Sequence, residues 1–267
     1  LSRGLGDVYK RQFLTDLPSG TDKKLGLLID LDICVGCHGC VTSCKEWNST
    51  DDSLPLSDFD SYGEAPDGIF LNRVHGYETE DGTSSQTVHF PRSCLHCEQP
   101  ECVTVCPTGA SYKRQEDGIV LVNPETCIGC KLCSWACPYG AREYDHKQGI
   151  MKKCTLCVDR IYNEELEEED RKPACVLACP TSARLFGDFS DPQSDVSILS
   201  EKRGGVALMD NLGYKPVNRY LPPRKKHITS EENSKDNANL ERFSDLNPSK
   251  VNSKLEEFFS WLDQKLS

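Results

Sequence analysis

Sixteen cysteines fall in four runs of four. The first is Cys34-x2-Cys37-x2-Cys40-x3-Cys44 and the second is Cys94-x2-Cys97-x4-Cys102-x3-Cys106. The third is Cys127-x2-Cys130-x2-Cys133-x3-Cys137 and the fourth is Cys154-x2-Cys157-x17-Cys175-x3-Cys179. Thiolates are soft ligands that suit iron–sulfur clusters or zinc. A structural zinc takes four ligands, usually as two separated C-x2-C pairs. It has no need of a fourth cysteine three residues on, followed by proline. Pro107, Pro138 and Pro180 follow the last cysteine of three runs, and Lys45 follows the other. The spacing of residues 127–138 is that of 4Fe–4S ligation, where three cysteines of a run hold one cluster and the fourth crosses to its neighbour. The chemistry is then one-electron transfer, with all sixteen cysteines as iron ligands. A zinc-stabilised interaction scaffold is the alternative from another class. The even count also raises a disulfide framework, which suits small secreted chains rather than this length and spacing.

The rest of the chain offers no other chemistry. There is no G-x-G-x-x-G fingerprint and no legible Ser/His/Asp constellation, so no catalytic residue is assigned. Lys45, Lys131, Lys152, Lys153 and Arg92 lie beside ligands. A cation there favours the reduced, more negative cluster; the plainer reading is a solvated charge on an acidic surface. His38 and His96 sit inside runs that are already complete. Trp47 and Trp135 read as packing residues that shield clusters from water by bulk.

Composition sets the class of partner. The 267 residues suffice for one or two domains with real cores. The formal net charge is -11, and four oxidised clusters with their thiolates would deepen it by roughly 8. Such a chain is a poor ligand for nucleic acid or anionic headgroups. No apolar run approaches the ~18–20 residues of a membrane span. Membrane contact would come through a partner subunit or a surface helix. Metal-bound thiolates point to a reducing compartment.

The elements that must position the cysteines follow in order. Residues 1–12 resemble a translated sequencing-adapter artefact and are left out of the fold reading. Residues 24–29 read as a strand. Gly36 and Gly39 suit a loop whose N–H groups turn toward cluster sulfurs, because glycine tolerates positive φ. Residues 48–86 read as an inserted set of loops with a strand over 69–74, either surface packing or a partner-docking face. Residues 111–114 and 119–122 read as strands joined by a turn at Glu116-Asp117-Gly118. A short helix is expected between Cys130 and Cys137, ended by Pro138. Residues 158–174 carry seven acidic side chains and read as a solvated helical excursion. Residues 224–247 read as a flexible linker. Residues 248–267 recover a helical period in Val251, Leu255, Phe258, Phe259, Leu262 and Leu266; that helix packs on its own domain or docks on a partner.

At this point the motifs resemble a known family. The segments CVGCHGCVTSCKEWN, HFPRSCLHCEQPECVTVCPTGASYKR and CIGCKLCSWACPYGAREYD, with the stretched fourth run, look like the four-cluster iron–sulfur subunit of the dimethyl sulfoxide reductase family of molybdopterin oxidoreductases. Within it they resemble the subunit of the membrane-bound, quinone-linked sulfite dehydrogenases. The resemblance covers residues 24–224. It implies an α+β fold of two double-cluster ferredoxin-like modules, the second and third runs nested within the first and fourth. The domain would span 24–223, with residues 24–92 and 150–223 as the outer module and 93–149 as the inner one. Cys34, Cys37 and Cys40 would share a cluster with Cys179, and Cys154, Cys157 and Cys175 with Cys44. Cys94, Cys97 and Cys102 would take Cys137, and Cys127, Cys130 and Cys133 would take Cys106. The implied partners are a molybdopterin catalytic subunit and an integral membrane, quinone-binding anchor. That places the chain in the cytoplasm, peripheral on the inner membrane, as a non-catalytic relay. A dimethyl sulfoxide, polysulfide or formate oxidoreductase is the alternative partner.

Overall fold

The structure is a computed structural model that describes residues 17–48, 69–80 and 85–224. Strand β1 (Leu25–Asp30) opens it, followed by α1 (Gly39–Asn48), β2 (Asn72–Glu80), β3 (Ser85–Ser93), α2 (Glu101–Thr104), β4 (Ser111–Lys113) and β5 (Val120–Val122). Next come α3 (Leu132–Trp135), β6 (Glu143–Asp145), β7 (Ile150–Lys152), α4 (Val158–Ile161), α5 (Ala174–Leu177), β8 (Arg184–Asp188), α6 (Asp195–Arg203) and β9 (Arg219–Leu221). The content is α+β: three antiparallel hairpins, β2–β3, β4–β5 and β6–β7, and one three-stranded sheet of order β8-β1-β9.

Strand β1 is apolar on both faces because both faces are covered. It runs antiparallel to β8 and parallel to β9. Leu27 and Ile29 enter the main core with Val41, Leu95, Ile119 and Tyr220. Leu28 points the other way, against Val196 and Leu221 beneath α6. Alternation along a strand accounts for the split. The α6 helix, which has little apolar periodicity to announce it, is fixed by its ends. Ser194 Oγ accepts from the Ser197 N–H at 3.3 Å, and Gly204 closes it at φ 65.

The four cysteine runs fold alike. The residue before the second cysteine is left-handed each time: Gly36, His96, Gly129 and Leu156. The third cysteine is then the second residue of a helix: Cys40 in α1, Cys102 in α2, Cys133 in α3 and Cys175 in α5. Proline after the fourth cysteine disfavours helix at that cysteine, so α2, α3 and α5 are single turns. Lys45 imposes no such stop, and α1 continues through Cys44 for ten residues. Helix α1 packs on α5 and α2 packs on α3. The first run therefore meets the fourth, and the second meets the third.

Some expectations shift. The strand placed over 69–74 begins at Asn72. The insertion does more than cover the surface, since Asn72 is buried and donates to the Cys40 carbonyl at 3.0 Å. Residues 158–174 are helical only over Val158–Ile161 and in a 3-10 turn at Glu168–Asp170. Just after that turn Arg171 donates back to the Leu166 and Glu164 carbonyls at 2.9 and 3.0 Å, drawing the acidic stretch into a loop. Gly39 is helical rather than left-handed; its missing side chain makes room for the Ala178 carbonyl, 3.1 Å from where a Cβ would stand. Contacts divide the chain into Leu1–Pro223 and Arg224–Ser267. Residues 1–12, the linker after Arg224 and the helix over 248–267 lie outside the described residues. Among the described residues no helix is long and apolar enough to cross a membrane.

Candidate metal centres

The helix pairs bring cysteines of different runs near one another. Cys44, carried past its own run by α1, lies against Cys154, Cys175 and Cys157. These four thiols line one hollow together with Asn48, Asn72, Ser93 and Arg184. Cys97 lies among Cys94, Cys102 and Cys137. That quartet lines a second hollow together with Val120, Tyr139, Arg142 and Tyr214. Cys133 is grouped with Cys106, Cys127 and Cys130, and Cys34 with Cys40 and Cys179. Cys37 and Cys130 are exposed, whereas the Cys154 quartet is largely enclosed.

Electrostatics show what such groups need. Burial pushes Cys154 up to about 12, and the neighbouring thiols Cys175 and Cys94 add to it. Burial, then Cys94, Cys102 and Cys137, raises Cys97. Four buried thiols resist ionising together; a cationic iron core that binds the thiolates removes that penalty. Backbone N–H groups already face sulfur: Ser111 to Cys106 at 3.3 Å, Met151 to Cys127 at 3.4 Å, Ala183 to Cys179 at 3.2 Å. The buried donors Arg142 Nη1 and Arg184 Nε have no hydrogen-bond partner among the described residues. Buried N–H groups without partners are costly, and the sulfide ions of a cluster held by these thiols would accept from them. No three Cys, His, Asp or Glu side chains among the described residues stand where they could share a single metal ion; the thiols ring a space rather than meet at a point. The donor set thus fits 4Fe–4S clusters.

The singled-out neighbours separate clearly. Lys153 is buried and donates to the Cys154 carbonyl at 2.6 Å and to that of Val120. Lys45 is buried with Nζ 4.4 Å from the Phe70 ring centroid, Lys131 caps the Tyr144 ring at 3.9 Å, and Lys152 pairs with Asp145 at 2.8 Å. Arg92 donates to the Tyr139 carbonyl at 2.7 Å, fastening the β2–β3 hairpin beside the third run. His96 is wholly buried, and its Nδ1 accepts from the Val120 N–H at 3.2 Å. Neither tryptophan is buried against the sulfurs as expected: Trp47 is 38% exposed, donating to Asp159 at 2.8 Å beside the Arg160 guanidinium, and Trp135 is 89% exposed. Two arginines that reach sulfur escaped the sequence reading. Arg142 Nη2 lies 2.8 Å from Cys102 Sγ, and Arg184 Nη1 lies 3.6 Å from Cys175 Sγ. The repeat carried the signal, since each follows alanine five residues beyond a fourth cysteine.

Two family models, each described as a 4Fe–4S dicluster domain, match residues 33–110 and 85–189. The chain is 61% identical to a subunit of the sulfite dehydrogenase of Allochromatium vinosum, over 78% of this chain and 88% of that protein. It is 37% identical to a component of the polysulfide reductase of Wolinella succinogenes, over 78% of this chain and 99% of that protein. It is also 37% identical to a component of the anaerobic dimethyl sulfoxide reductase of Escherichia coli, over 68% of this chain and 78% of that protein.

Proposed function

Because the protein belongs to the iron–sulfur electron-transfer subunits of the dimethyl sulfoxide reductase family of molybdopterin oxidoreductases, we propose that it relays electrons from a sulfite-oxidising molybdopterin subunit to a quinone-reactive membrane anchor. The single observation that carries the sulfite reading is the 61% identity to a sulfite dehydrogenase subunit, against 37% for the polysulfide and dimethyl sulfoxide relatives. Four clusters are proposed, each accepting and releasing one electron when bound. Their ligand sets are Cys34, Cys37, Cys40 and Cys179; Cys154, Cys157, Cys175 and Cys44; Cys94, Cys97, Cys102 and Cys137; and Cys127, Cys130, Cys133 and Cys106. The pairing of α1 with α5 and of α2 with α3 supports this nesting, as do the thiol neighbours of Cys44, Cys97, Cys133 and Cys34.

The order of the sets also has support. Cys175 of the second set neighbours Cys40 of the first, and Cys154 neighbours Cys94 of the third. Arg142 faces both Cys102 of the third and Cys133 of the fourth. The sequence of sets just given is therefore proposed as the line along which the protein passes electrons. Its residues bind and insulate the clusters, and the partner subunit does the catalysis. We place it on the cytoplasmic face of the inner membrane, where sixteen thiols stay reduced for assembly. Metal analysis of the anaerobically purified complex tests the reading. About sixteen irons per chain and sulfite-dependent reduction of quinone are expected. About four zincs, or quinone reduction driven by another substrate alone, would overturn it.

A further inference from the structure

Two buried arginines occupy matching places in the repeat. Arg142 lies five residues beyond Cys137 and Arg184 five beyond Cys179; they are 5% and 3% exposed. Arg142 Nη2 donates to Cys102 Sγ and to Ser111 Oγ, both at 2.8 Å. Arg184 donates to Cys175 Sγ at 3.6 Å and to Asn72 Oδ1 at 2.8 Å. Each guanidinium is also close enough to a thiol of the partner run to act on it electrostatically: Cys133 for Arg142 and Cys40 for Arg184. The two cations thus stand between the two thiol quartets of a helix pair and hydrogen-bond to one quartet only. Both are held in place, Arg184 within strand β8 opposite Ile29 and Arg142 by Ser111 on β4.

We propose that Arg142 and Arg184 are positioning residues that raise the reduction potentials of the clusters they stand between, and do so unequally within each pair. The inference rests on the ligand sets of the preceding section. A cluster's two forms differ by one electron, and a fixed positive charge favours the more negative, reduced form. The charge reaches both quartets, whereas the charge-assisted hydrogen bond to Cys102 or Cys175 favours the reduced form further in that quartet alone. Arginine fits because it stays charged when buried.

The test is a potentiometric titration, followed by electron paramagnetic resonance, of the iron-loaded complex carrying Arg142→Gln, Arg142→Lys, Arg184→Gln or Arg184→Lys. At full iron content each Gln variant should lower the midpoint of its hydrogen-bonded cluster by a tenfold or greater change in the oxidised-to-reduced ratio, about 59 mV for one electron. The partner cluster should fall by less, and Arg142→Gln and Arg184→Gln should move different signals. The Lys variants keep the charge without the fork. They should hold the partner cluster's midpoint and lower only the hydrogen-bonded one; if a Gln variant does not hold iron, this pattern decides. Unmoved midpoints at full iron, or iron lost alike from Gln and Lys variants, would overturn the proposal. Wild-type iron far below sixteen per chain would take down the four-cluster reading and this inference with it.

Discussion

Asn218 donates its side-chain Nδ2 to the carbonyl of Cys94 at 3.1 Å, across 124 residues of sequence. The same carboxamide accepts from the Leu27 N–H at 2.8 Å. One wholly buried side chain therefore ties the second cysteine run to the central strand β1. Asn218→Ala leaves a buried N–H and a buried C=O unpaired, at about 1–3 kcal/mol each. A loss of roughly 2–6 kcal/mol is expected, read as a lower urea midpoint for bleaching of the iron–sulfur absorbance. An unchanged midpoint would show that neither bond matters to stability.

Gly36 and Gly129 share a left-handed φ of 66, yet alanine should act differently at the two. At Gly36 a Cβ would come within 2.4 Å of the His89 ring, a side chain that can swing away. At Gly129 it would come within 2.1 Å of the Gly149 carbonyl, which is backbone. Both variants incur the left-handed penalty of about 1–2 kcal/mol. Gly129→Ala should add displacement of the β6–β7 turn and lose iron from the third run. Gly36→Ala should be partly rescued by His89→Ala. Equal iron loss in the two single variants, with no rescue, would refute the distinction.

The cysteine runs were legible because each is local: one pattern of spacing, C-x2-C and then C-x3-C, writes one structural unit four times, with a proline stop in three of them. The missing proline after Cys44 was visible in the sequence, but the ten-residue length of α1 was not read from it. What escaped was long-range. Arg184 meets Asn72 across 112 residues, and nothing near Asn72 or Asn218 marks them as buried clamps. Neighbourhood in sequence misled for the cations: Lys131 and Lys152 adjoin ligands, yet they spend their charge on Tyr144 and Asp145. Arg142 and Arg184, five residues away, face sulfur because the turn after each fourth cysteine folds back on the site. Trp135 follows Cys133 by two residues on α3, which puts it on the opposite, outward side.

Asp188 makes the fold's edge acid-sensitive. It accepts from the Lys24 N–H at 2.9 Å, the Ser190 N–H at 2.8 Å and the Ser190 hydroxyl at 2.6 Å. Burial opposes its charge, but these hydrogen bonds and Lys23 hold its carboxyl below the usual range. A depressed folded pKa contributes stability above the unfolded value of about 3.9 and loses it as pH falls through the folded one. Asp188→Asn should therefore be less resistant to urea than wild type near pH 6, and the gap should close toward about pH 3. A gap that stays constant with pH would assign the effect to packing instead.

Cys130 and Cys154 separate ligation from folding. Both are proposed ligands, but Cys130 is exposed whereas Cys154 is buried between Cys175 and Cys94. Serine at either position removes one soft thiolate and should lose or convert one cluster, up to roughly a quarter of the iron. At Cys130 the damage should stay local: three 4Fe–4S signals persist, the thermal midpoint barely moves, and electron flow through the end of the relay stops. At Cys154 the hydroxyl is buried beside a second quartet, so the midpoint should fall and the Cys94 quartet should also be disturbed. Iron analysis, electron paramagnetic resonance and melting of the two variants side by side decide it. Four intact 4Fe–4S signals in Cys130→Ser would refute its assignment as a ligand.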